Sequence, residues 1–248
     1  MLLSHGFGGN VERFEAIAER IARAGYVVAA PTFPLTNEAA PGGHLSGLSD
    51  VAEQPGDLAF VLDRLREIAA SERGPLGSRL DPARVAAVGH SLGGATVLAL
   101  TRLSCCRDAR VDAAVLVAPA APVLEPFFGE GPARAGPPTL IVQGGADPVV
   151  RPAIARDLFE AFEPPRALVE ISGAGHTSLV EARTQVSPDL EVAARAIVAF
   201  LDRFLGGAPG LEATLEEIEA AGHRVRFDPG RAAAAPEAHE PSAGRPPA

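Results

Sequence analysis

The sequence predicts an α/β fold in which a mostly parallel sheet is covered by helices on both faces. Short apolar runs alternate with longer amphipathic runs from the first residues to about residue 205. Short continuous apolar runs are typical of strands buried on both faces, and their alternation with helices favours parallel pairing. The chain of 248 residues is 47% hydrophobic, which is sufficient for a single sizeable core.

The elements begin with Met1-Leu2-Leu3-Ser4, which resembles the end of a buried strand because it runs directly into a glycine-rich turn. An amphipathic helix follows, with apolar positions at Phe14, Ile17, Ala18 and Ile21. Later strands are predicted at 26–30, 84–88, 112–117, 139–143 and 167–171, and helices at 57–70, 95–104, 151–162 and 190–204. These segments form successive βα units.

Two long irregular segments interrupt the βα units, at 31–55 and 119–138. Both contain prolines and glycines without a periodic pattern, and loops of this length commonly serve as lids or binding loops. We expect the first segment to cover the site. In the second segment, Phe127 and Phe128 either line a substrate pocket or anchor the loop in the core, and the sequence favours neither interpretation.

The composition changes after residue 205, which marks the end of the predicted main domain at 1–205. Residues 206–227 are expected to form a peripheral amphipathic helix at 211–221 and a short extended segment at 224–227. Residues 228–248 are rich in alanine, proline and glycine, so we expect a disordered tail.

The charge, the lengths of the apolar runs and the cysteines limit the possible partners and the covalent structure of the chain. The chain has 31 acidic and 22 basic residues, a net charge of -9, so we expect no nucleic-acid partner. No apolar run is long enough for an integral membrane segment, and no signal segment opens the chain. Cys105 and Cys106 are adjacent, and neighbouring cysteines rarely bridge, so we expect them to pack at a helix end without a disulfide.

The most specific motif is Gly89-His90-Ser91-Leu92-Gly93, which lies between a predicted strand and a predicted helix. This context is typical of a nucleophile elbow, a tight turn in which small neighbours permit the strained backbone of the serine. A glycine-rich turn without chemistry is the alternative. The context favours Ser91 as a nucleophile whose hydroxyl is exposed at the edge of the sheet.

A serine nucleophile requires a general base, and His176 is the best candidate. It follows the last predicted strand in a glycine-containing loop, which would place the imidazole over the carboxyl edge of the sheet. The histidines that fit less well are His5, His44, His90, His223 and His239.

The base in turn requires a carboxylate that orients its ring, and Asp147 is the best candidate. Asp147 lies in a tight turn after a predicted strand rich in β-branched residues, so it should reach the same edge of the sheet. A structural role in the turn is the alternative for Asp147. Asp157 and Asp202 fit helix faces better and are weaker candidates.

Acyl transfer also requires hydrogen-bond donors for the developing oxyanion, and backbone amides suit this role because their positions are already fixed. The amide of Leu92 follows the serine at a helix N-terminus. Phe7, within His5-Gly6-Phe7-Gly8-Gly9, would supply the second amide. A flexible glycine-rich turn is the alternative for this loop.

Four motifs together resemble the α/β-hydrolase fold family, and more narrowly the dienelactone-hydrolase-like and chlorophyllase-like serine esterases. They are Ser4-His5-Gly6-Phe7-Gly8-Gly9, Gly89-His90-Ser91-Leu92-Gly93-Gly94, Gly145-Ala146-Asp147-Pro148-Val149-Val150 and Gly173-Ala174-Gly175-His176. The resemblance extends from residue 1 to about residue 205. It implies a triad of Ser91, Asp147 and His176 and an oxyanion hole formed by Phe7 and Leu92. Members of the family usually begin with further strands, so we expect N-terminal strands to be missing here.

These observations predict a serine hydrolase that cleaves carboxylic esters through an acyl-enzyme, without a metal or organic cofactor. The expected partner is a small-molecule or lipid-like ester, and thioesters, lactones and amides remain open. Three alternatives are a catalytically silent binding protein of the same fold, a cofactor-free perhydrolase or haloperoxidase, and an inactive gene fragment.

Overall fold

The computed structural model describes residues 1–41, 44–71, 74–77, 79–181 and 187–230. Within these residues the centre of the fold is a six-stranded sheet whose strands lie side by side in chain order. The strands are β1 (Leu2–Ser4), β2 (Ala86–His90), β3 (Ala113–Val117), β4 (Thr139–Gly144), β5 (Arg166–Ile171) and β6 (Arg224–Asp228). The first five are parallel, and β6 runs antiparallel to β5. The predicted α/β fold with a mostly parallel sheet is confirmed.

Helices connect the strands and cover both faces of the sheet. They are α1 (Glu15–Arg23), α2 (Gln54–Ser71), α3 (Gly74–Gly77), α4 (Leu92–Arg102), α5 (Leu124–Phe128), α6 (Pro152–Ala161), α7 (Pro188–Leu205) and α8 (Leu211–Ala220). Short 3-10 helices occur at Glu12–Phe14, His44–Ala52 and Ala121–Val123. No helix in the described part of the chain is both long enough and apolar enough to cross a membrane.

The sheet separates two apolar cores, because alternate side chains of each strand point to opposite faces. In β3, Val115 and Val117 belong to the first core, whereas Ala114 and Leu116 belong to the second. Helices α1, α7 and α8 contribute to the first core, and α2, α4 and α6 contribute to the second. The continuous apolar strands of the sequence are therefore explained by burial on both faces.

The predicted strand at 26–30 is wrong in extent. In the structure this segment forms a single parallel bridge between Leu2 and Ala29. The amide of Leu3 donates to the carbonyl of Ala29 at 2.9 Å, and the amide of Ala29 donates to the carbonyl of Met1 at 2.9 Å. Strand β1 pairs with three residues of β2 on its other side, so the short pairing with this segment arises because the segment diverges from β1 on either side of Ala29.

Cys105 and Cys106 form a disulfide, so the expectation that they do not bridge is wrong. Helix α4 ends at Arg102, and the two cysteines lie in the turn that follows it.

The C-terminal segment packs onto the main sheet. Leu211, Leu215 and Ile218 of α8 are buried in the first core, and β6 pairs with β5 along its whole length. Asp228, which the sequence assigns to the tail, is the last residue of β6 and accepts a hydrogen bond from Arg166 at 3.2 Å. Residues 231–248 of the predicted tail lie outside the described residues.

Candidate active site

The loops that follow β1, β2, β4 and β5 meet at the carboxyl edge of the parallel strands. In a parallel sheet these ends all lie on one side, which is the usual location of ligand sites in α/β proteins. The loops contain the glycine-rich turn, Ser91, Asp147 and His176, respectively. The topology therefore brings the predicted site residues to one edge of the molecule.

Ser91 occupies the turn between β2 and α4 and has backbone angles of φ 54° and ψ -116°. Such a conformation is rare for a residue with a side chain and costs about 1–3 kcal/mol, so the surroundings must maintain it. The amide of Ser91 donates to the carbonyl of Val117 at 2.9 Å, and its carbonyl accepts from Ala95 and Ala120 at 3.1 Å and 3.0 Å. These bonds attach the turn to β3, to α4 and to the loop after β3.

Close backbone approach explains the glycines on both sides of Ser91. A Cβ atom on Gly89 would lie 2.1 Å from the carbonyl oxygen of Gly93, and one on Gly93 would lie 2.2 Å from the carbonyl oxygen of Ser4. Neither distance is possible without movement of the backbone. Gly89 thus permits the tight turn, and Gly93 permits α4 to pack against the end of β1.

The glycine-rich turn after β1 is held by His5. The Nδ1 atom of His5 donates to the carbonyl of Gly6 at 2.8 Å, and its Nε2 atom accepts from the amide of Phe33 at 3.1 Å. This pattern requires the neutral tautomer with the proton on Nδ1. Burial lowers the pKa of His5, which favours this neutral form.

The segment at 31–40 is attached to the same turn and to α4. The amide of Gly8 donates to the carbonyl of Thr36 at 2.7 Å. The buried side chain of Gln54 donates to Oγ1 of Thr36 at 2.7 Å and accepts from Oγ1 of Thr96 at 2.6 Å. Because Thr96 belongs to the helix that follows Ser91, Gln54 joins the segment at 31–40 to this helix.

Asp147 lies in the turn after β4, and its carboxylate is fully buried and accepts four hydrogen bonds. Oδ1 accepts from the amides of Val149 and Val150 at 2.8 Å and 2.9 Å. Oδ2 accepts from Nδ1 of His176 at 2.7 Å and from Nε2 of Gln143 at 3.2 Å. These donors compensate for the burial of a charge and fix the plane of the carboxylate.

His176 lies in the loop after β5, and its side chain is 12% exposed. Because Nδ1 donates to Asp147, the neutral ring has its lone pair on Nε2, as a general base requires. The hydroxyl of Ser91 forms no hydrogen bond with the residues that the structure describes. Such contacts are often long in a free enzyme and shorten when substrate binds.

The side chain of His90, the residue before Ser91, contacts His176 directly. Its Nε2 atom donates to the backbone carbonyl of His176 at 2.9 Å, and the two ring centroids are 4.7 Å apart. The sequence analysis ranks His90 as a weak candidate for the base, and it does not predict this contact. The signal in the sequence is a polar side chain near the carboxyl end of a mostly apolar strand, and the same signal applies to Gln143 in β4.

The weaker candidates lie in other environments. Asp202 accepts a hydrogen bond from the hydroxyl of Tyr26 at 2.7 Å, and Asp157 is exposed on α6. Nδ1 of His223 accepts from the amide of Ser172 at 3.2 Å. The side chain of His44 and the whole of His239 lie outside the described residues.

The two phenylalanines of the second irregular segment both lie on α5 and are partly exposed. Phe128 packs against the second core, whereas Phe127 belongs to neither core.

Among the residues that the structure describes, no group of three or more His, Cys, Asp or Glu side chains is arranged to hold a metal ion.

The protein is of the α/β class. At the carboxyl edge of its parallel strands it has a strained serine turn and a hydrogen-bonded Asp–His pair. A family model described as "Alpha/beta hydrolase family" matches residues 1–235, and the chain belongs to this family. Membership supports hydrolase activity. A comparison with curated proteins gives no match.

Proposed function

We propose that the protein is a serine hydrolase that cleaves carboxylic esters through an acyl-enzyme. The observation that carries the proposal is the hydrogen bond of 2.7 Å between Nδ1 of His176 and the buried carboxylate of Asp147, at the same edge as the strained turn of Ser91. An aspartate that orients a neutral imidazole is the arrangement that activates a serine hydroxyl.

The proposed reaction has two steps. Oγ of Ser91 attacks the ester carbonyl while Nε2 of His176 takes the hydroxyl proton. The C–O bond to the alcohol then breaks, and His176 returns the proton to the departing alcohol oxygen. In the second step, a water molecule attacks the acyl-enzyme, His176 takes its proton, and the carboxylic acid leaves while Oγ of Ser91 is protonated again.

The amides of Phe7 and Leu92 are proposed to bind the oxyanion that forms in each step. Leu92 is the first residue of α4, and the first amides of a helix have no acceptor within the helix. The positive end of the helix dipole also favours negative charge there. Phe7 lies in the turn that His5 and the segment at 31–40 hold in place.

The proposed substrate is a small-molecule or lipid-like ester. The four matched motifs favour the dienelactone-hydrolase-like and chlorophyllase-like serine esterases as the subgroup. The acyl group is proposed to lie beneath the segments at 31–55 and 119–138, with Phe127 and Phe128 as candidate pocket residues. No metal or organic cofactor is required for this chemistry.

The deciding experiment is hydrolysis of p-nitrophenyl esters from acetyl to dodecanoyl by the purified chain and by Ser91→Ala. We expect turnover by the wild type and a loss of about 10³-fold or more in the variant. Circular dichroism on both samples controls for folding. A folded wild type that hydrolyses none of these esters would contradict the proposal, as would a variant as active as the wild type.

A further inference from the structure

His90 is a buried side chain whose two ring nitrogens have different environments. Nε2 lies 2.9 Å from the carbonyl oxygen of His176 and must therefore carry a proton, because a carbonyl only accepts hydrogen bonds. Nδ1 is buried without a hydrogen-bond partner among the described residues. His90 is thus a neutral imidazole with one working donor and one unused lone pair.

The environment of the ring favours this neutral form. The pKa of His90 is lowered to about 3, mainly by burial and also by the neighbouring His176, while the hydrogen bond to the His176 carbonyl and the charge of Asp147 act in the opposite direction. Protonation would place a second N–H group at Nδ1, where the described residues provide no acceptor. His90 is therefore neutral in the folded protein at neutral pH and donates through Nε2.

Packing holds the ring of His90 in one orientation. The ring centroid lies 4.7 Å from that of His176 and 5.7 Å from that of Phe14, which is almost completely buried. A Cβ atom on Gly6 would lie 3.1 Å from Nδ1 of His90 and 3.2 Å from Cβ of Ser91. The glycine turn therefore packs against both His90 and the serine.

These contacts join the two reacting groups of the proposed mechanism by a short path. Ser91 follows His90 in the chain, and His90 donates to the backbone of His176 across 86 positions of the sequence. Asp147 sets the rotation of the His176 ring, but its hydrogen bond alone does not fix the backbone that carries the ring. The bond from His90 fixes the backbone carbonyl of His176 relative to the serine turn.

We propose that His90 is a positioning residue for the general base, and that its Nε2–H group maintains the distance between His176 and Ser91. This inference rests on the proposed function, since it assigns His176 as the base. A misplacement of about 1 Å in reacting groups costs roughly 10²-fold in rate. Loss of the donor should therefore lower kcat and leave KM nearly unchanged.

Three substitutions of His90 distinguish the effect of losing the N–H donor from the effect of losing the volume of the ring. His90→Gln places an amide N–H near the position of Nε2, His90→Asn places it near Nδ1, and His90→Leu removes both. We expect kcat per active site to fall about 10- to 100-fold in His90→Asn and His90→Leu, and to stay within about threefold of wild type in His90→Gln. Active sites are counted by titration with a fluorophosphonate, so that partial unfolding does not lower the value.

Thr101→Val is the matched control for loss of a buried hydrogen bond. Thr101 is buried in α4, and its Oγ1 donates to the carbonyl of Val97 at 2.7 Å, at the end of the helix remote from Ser91. We expect kcat per active site to be unchanged in this variant. Equal kcat in all three His90 variants, or a kcat in His90→Gln as low as in His90→Leu, would overturn the proposal.

A second measurement separates this proposal from the proposed function. Nitrogen NMR of the folded wild type should report His90 as the neutral tautomer protonated at Nε2, with a hydrogen bond through that proton. Protonation at Nδ1 instead would overturn the inference even if the enzyme is an esterase. If the folded wild type hydrolyses no ester, the proposed function fails, and the tautomer and the effect of the variants on fluorophosphonate labelling of Ser91 still test the role of His90.

Discussion

Nε2 of Gln143 lies 3.2 Å from Oδ2 of Asp147, the same carboxylate oxygen that accepts the hydrogen bond from His176. The side-chain Nε2 atom of Gln143 also donates to the backbone carbonyls of Gly144 and Val150, at 3.3 Å and 3.1 Å. Its own oxygen, Oε1, is buried without a partner among the described residues. Gln143 thus contributes donors only, and it closes the turn that presents Asp147.

Gln143→Met should lower both stability and activity. The substitution keeps the length of the side chain but removes one hydrogen-bond donor to Asp147 and one to the buried carbonyls of Gly144 and Val150. Loss of hydrogen bonds to buried acceptors lowers the free energy of unfolding by about 1–3 kcal/mol. We expect kcat to fall about tenfold because the carboxylate is less well fixed. Thermal unfolding and kcat per titrated active site are the measurements.

Thr139→Val provides the comparison, because Thr139 is buried in the same strand at the end remote from the site. Its hydroxyl accepts from Arg102 at 2.8 Å and donates to the carbonyl of Pro137 at 2.9 Å. This variant should lose stability while its kcat is unchanged. An unchanged kcat in Gln143→Met would contradict the role assigned to the amide.

Asp147→Asn should lower kcat by about 10³–10⁴-fold. In the wild type, all four hydrogen bonds at this carboxylate are donated to it, two at each oxygen. An asparagine has one oxygen, so its NH2 group must face either two backbone amides or His176 and Gln143. The second arrangement would force the His176 proton from Nδ1 to Nε2 and remove the base.

The measurement is ester hydrolysis by folded protein, with Asp157→Asn as the control. Asp157 is exposed on α6, so its substitution should leave kcat unchanged. Comparable activity in both variants would mean that Asp147 does not orient the base.

The stability of the protein should decrease in acid partly because of His90. Its pKa is about 3 in the folded protein, against 6.5 for an ordinary histidine, so the unfolded chain binds more protons between these values. Stability from this group is complete above about pH 6.5 and is lost as the pH falls. At pH 4.5 the loss is about 2–3 kcal/mol.

Urea unfolding at pH 7.5 and at pH 4.5 tests this expectation. The wild type should lose more stability between the two values than His90→Gln, because the amide does not titrate. His5 has a lowered pKa as well and adds a loss of the same sign in both proteins. The prediction fails if the two proteins lose stability equally.

Gly93→Ala should disrupt the site, whereas Gly56→Ala should not. A Cβ atom on Gly93 would lie 2.2 Å from the carbonyl oxygen of Ser4 and 2.6 Å from that of His5, so α4 must move away from β1. Gly56 is exposed in α2 and has open space around its Cβ position, so alanine there should stabilise the helix by about 0.5–1 kcal/mol. Thermal unfolding and ester hydrolysis of both variants are compared with wild type. A Gly93→Ala variant with normal stability and kcat would show that the close approach is not required.

Phe127→Ala and Phe128→Ala should have different effects. Phe128 packs against the second core, so its truncation should lower stability by about 2–4 kcal/mol. Phe127 is partly exposed on the same helix and belongs to neither core, so its truncation should change the preferred acyl chain length with little effect on stability. The measurements are thermal unfolding and the ratio of kcat/KM for hexanoyl and dodecanoyl esters. Identical chain-length profiles in wild type and Phe127→Ala would exclude Phe127 from the pocket.

The sequence predicted the order of most strands and helices because the patterns that specify them are local. Apolar runs of strand length and amphipathic runs of helix length each specify their own conformation, and the order of these runs implies a parallel sheet. The motif around Ser91 predicted a turn between a strand and a helix, and the structure has that turn between β2 and α4. The segments that follow β4 and β5 likewise placed Asp147 and His176 at strand ends.

The sequence did not predict the contacts between residues that are distant in the chain. The bond from His90 to the backbone of His176 spans 86 positions, and the antiparallel pairing of β6 with β5 depends on how α8 packs on the first core. The sequence pattern predicts a strand at 26–30, but this segment bridges β1 only at Ala29.

The amino-acid sequence by itself determined which residues lie at the carboxyl edge of the sheet, because their positions after the strands follow from local strand and turn patterns. The tertiary structure alone decided which side chains hold those residues in place. His90, Gln143 and Gln54 are polar residues in buried positions, and a buried polar group takes the partner that the packing brings within hydrogen-bond distance.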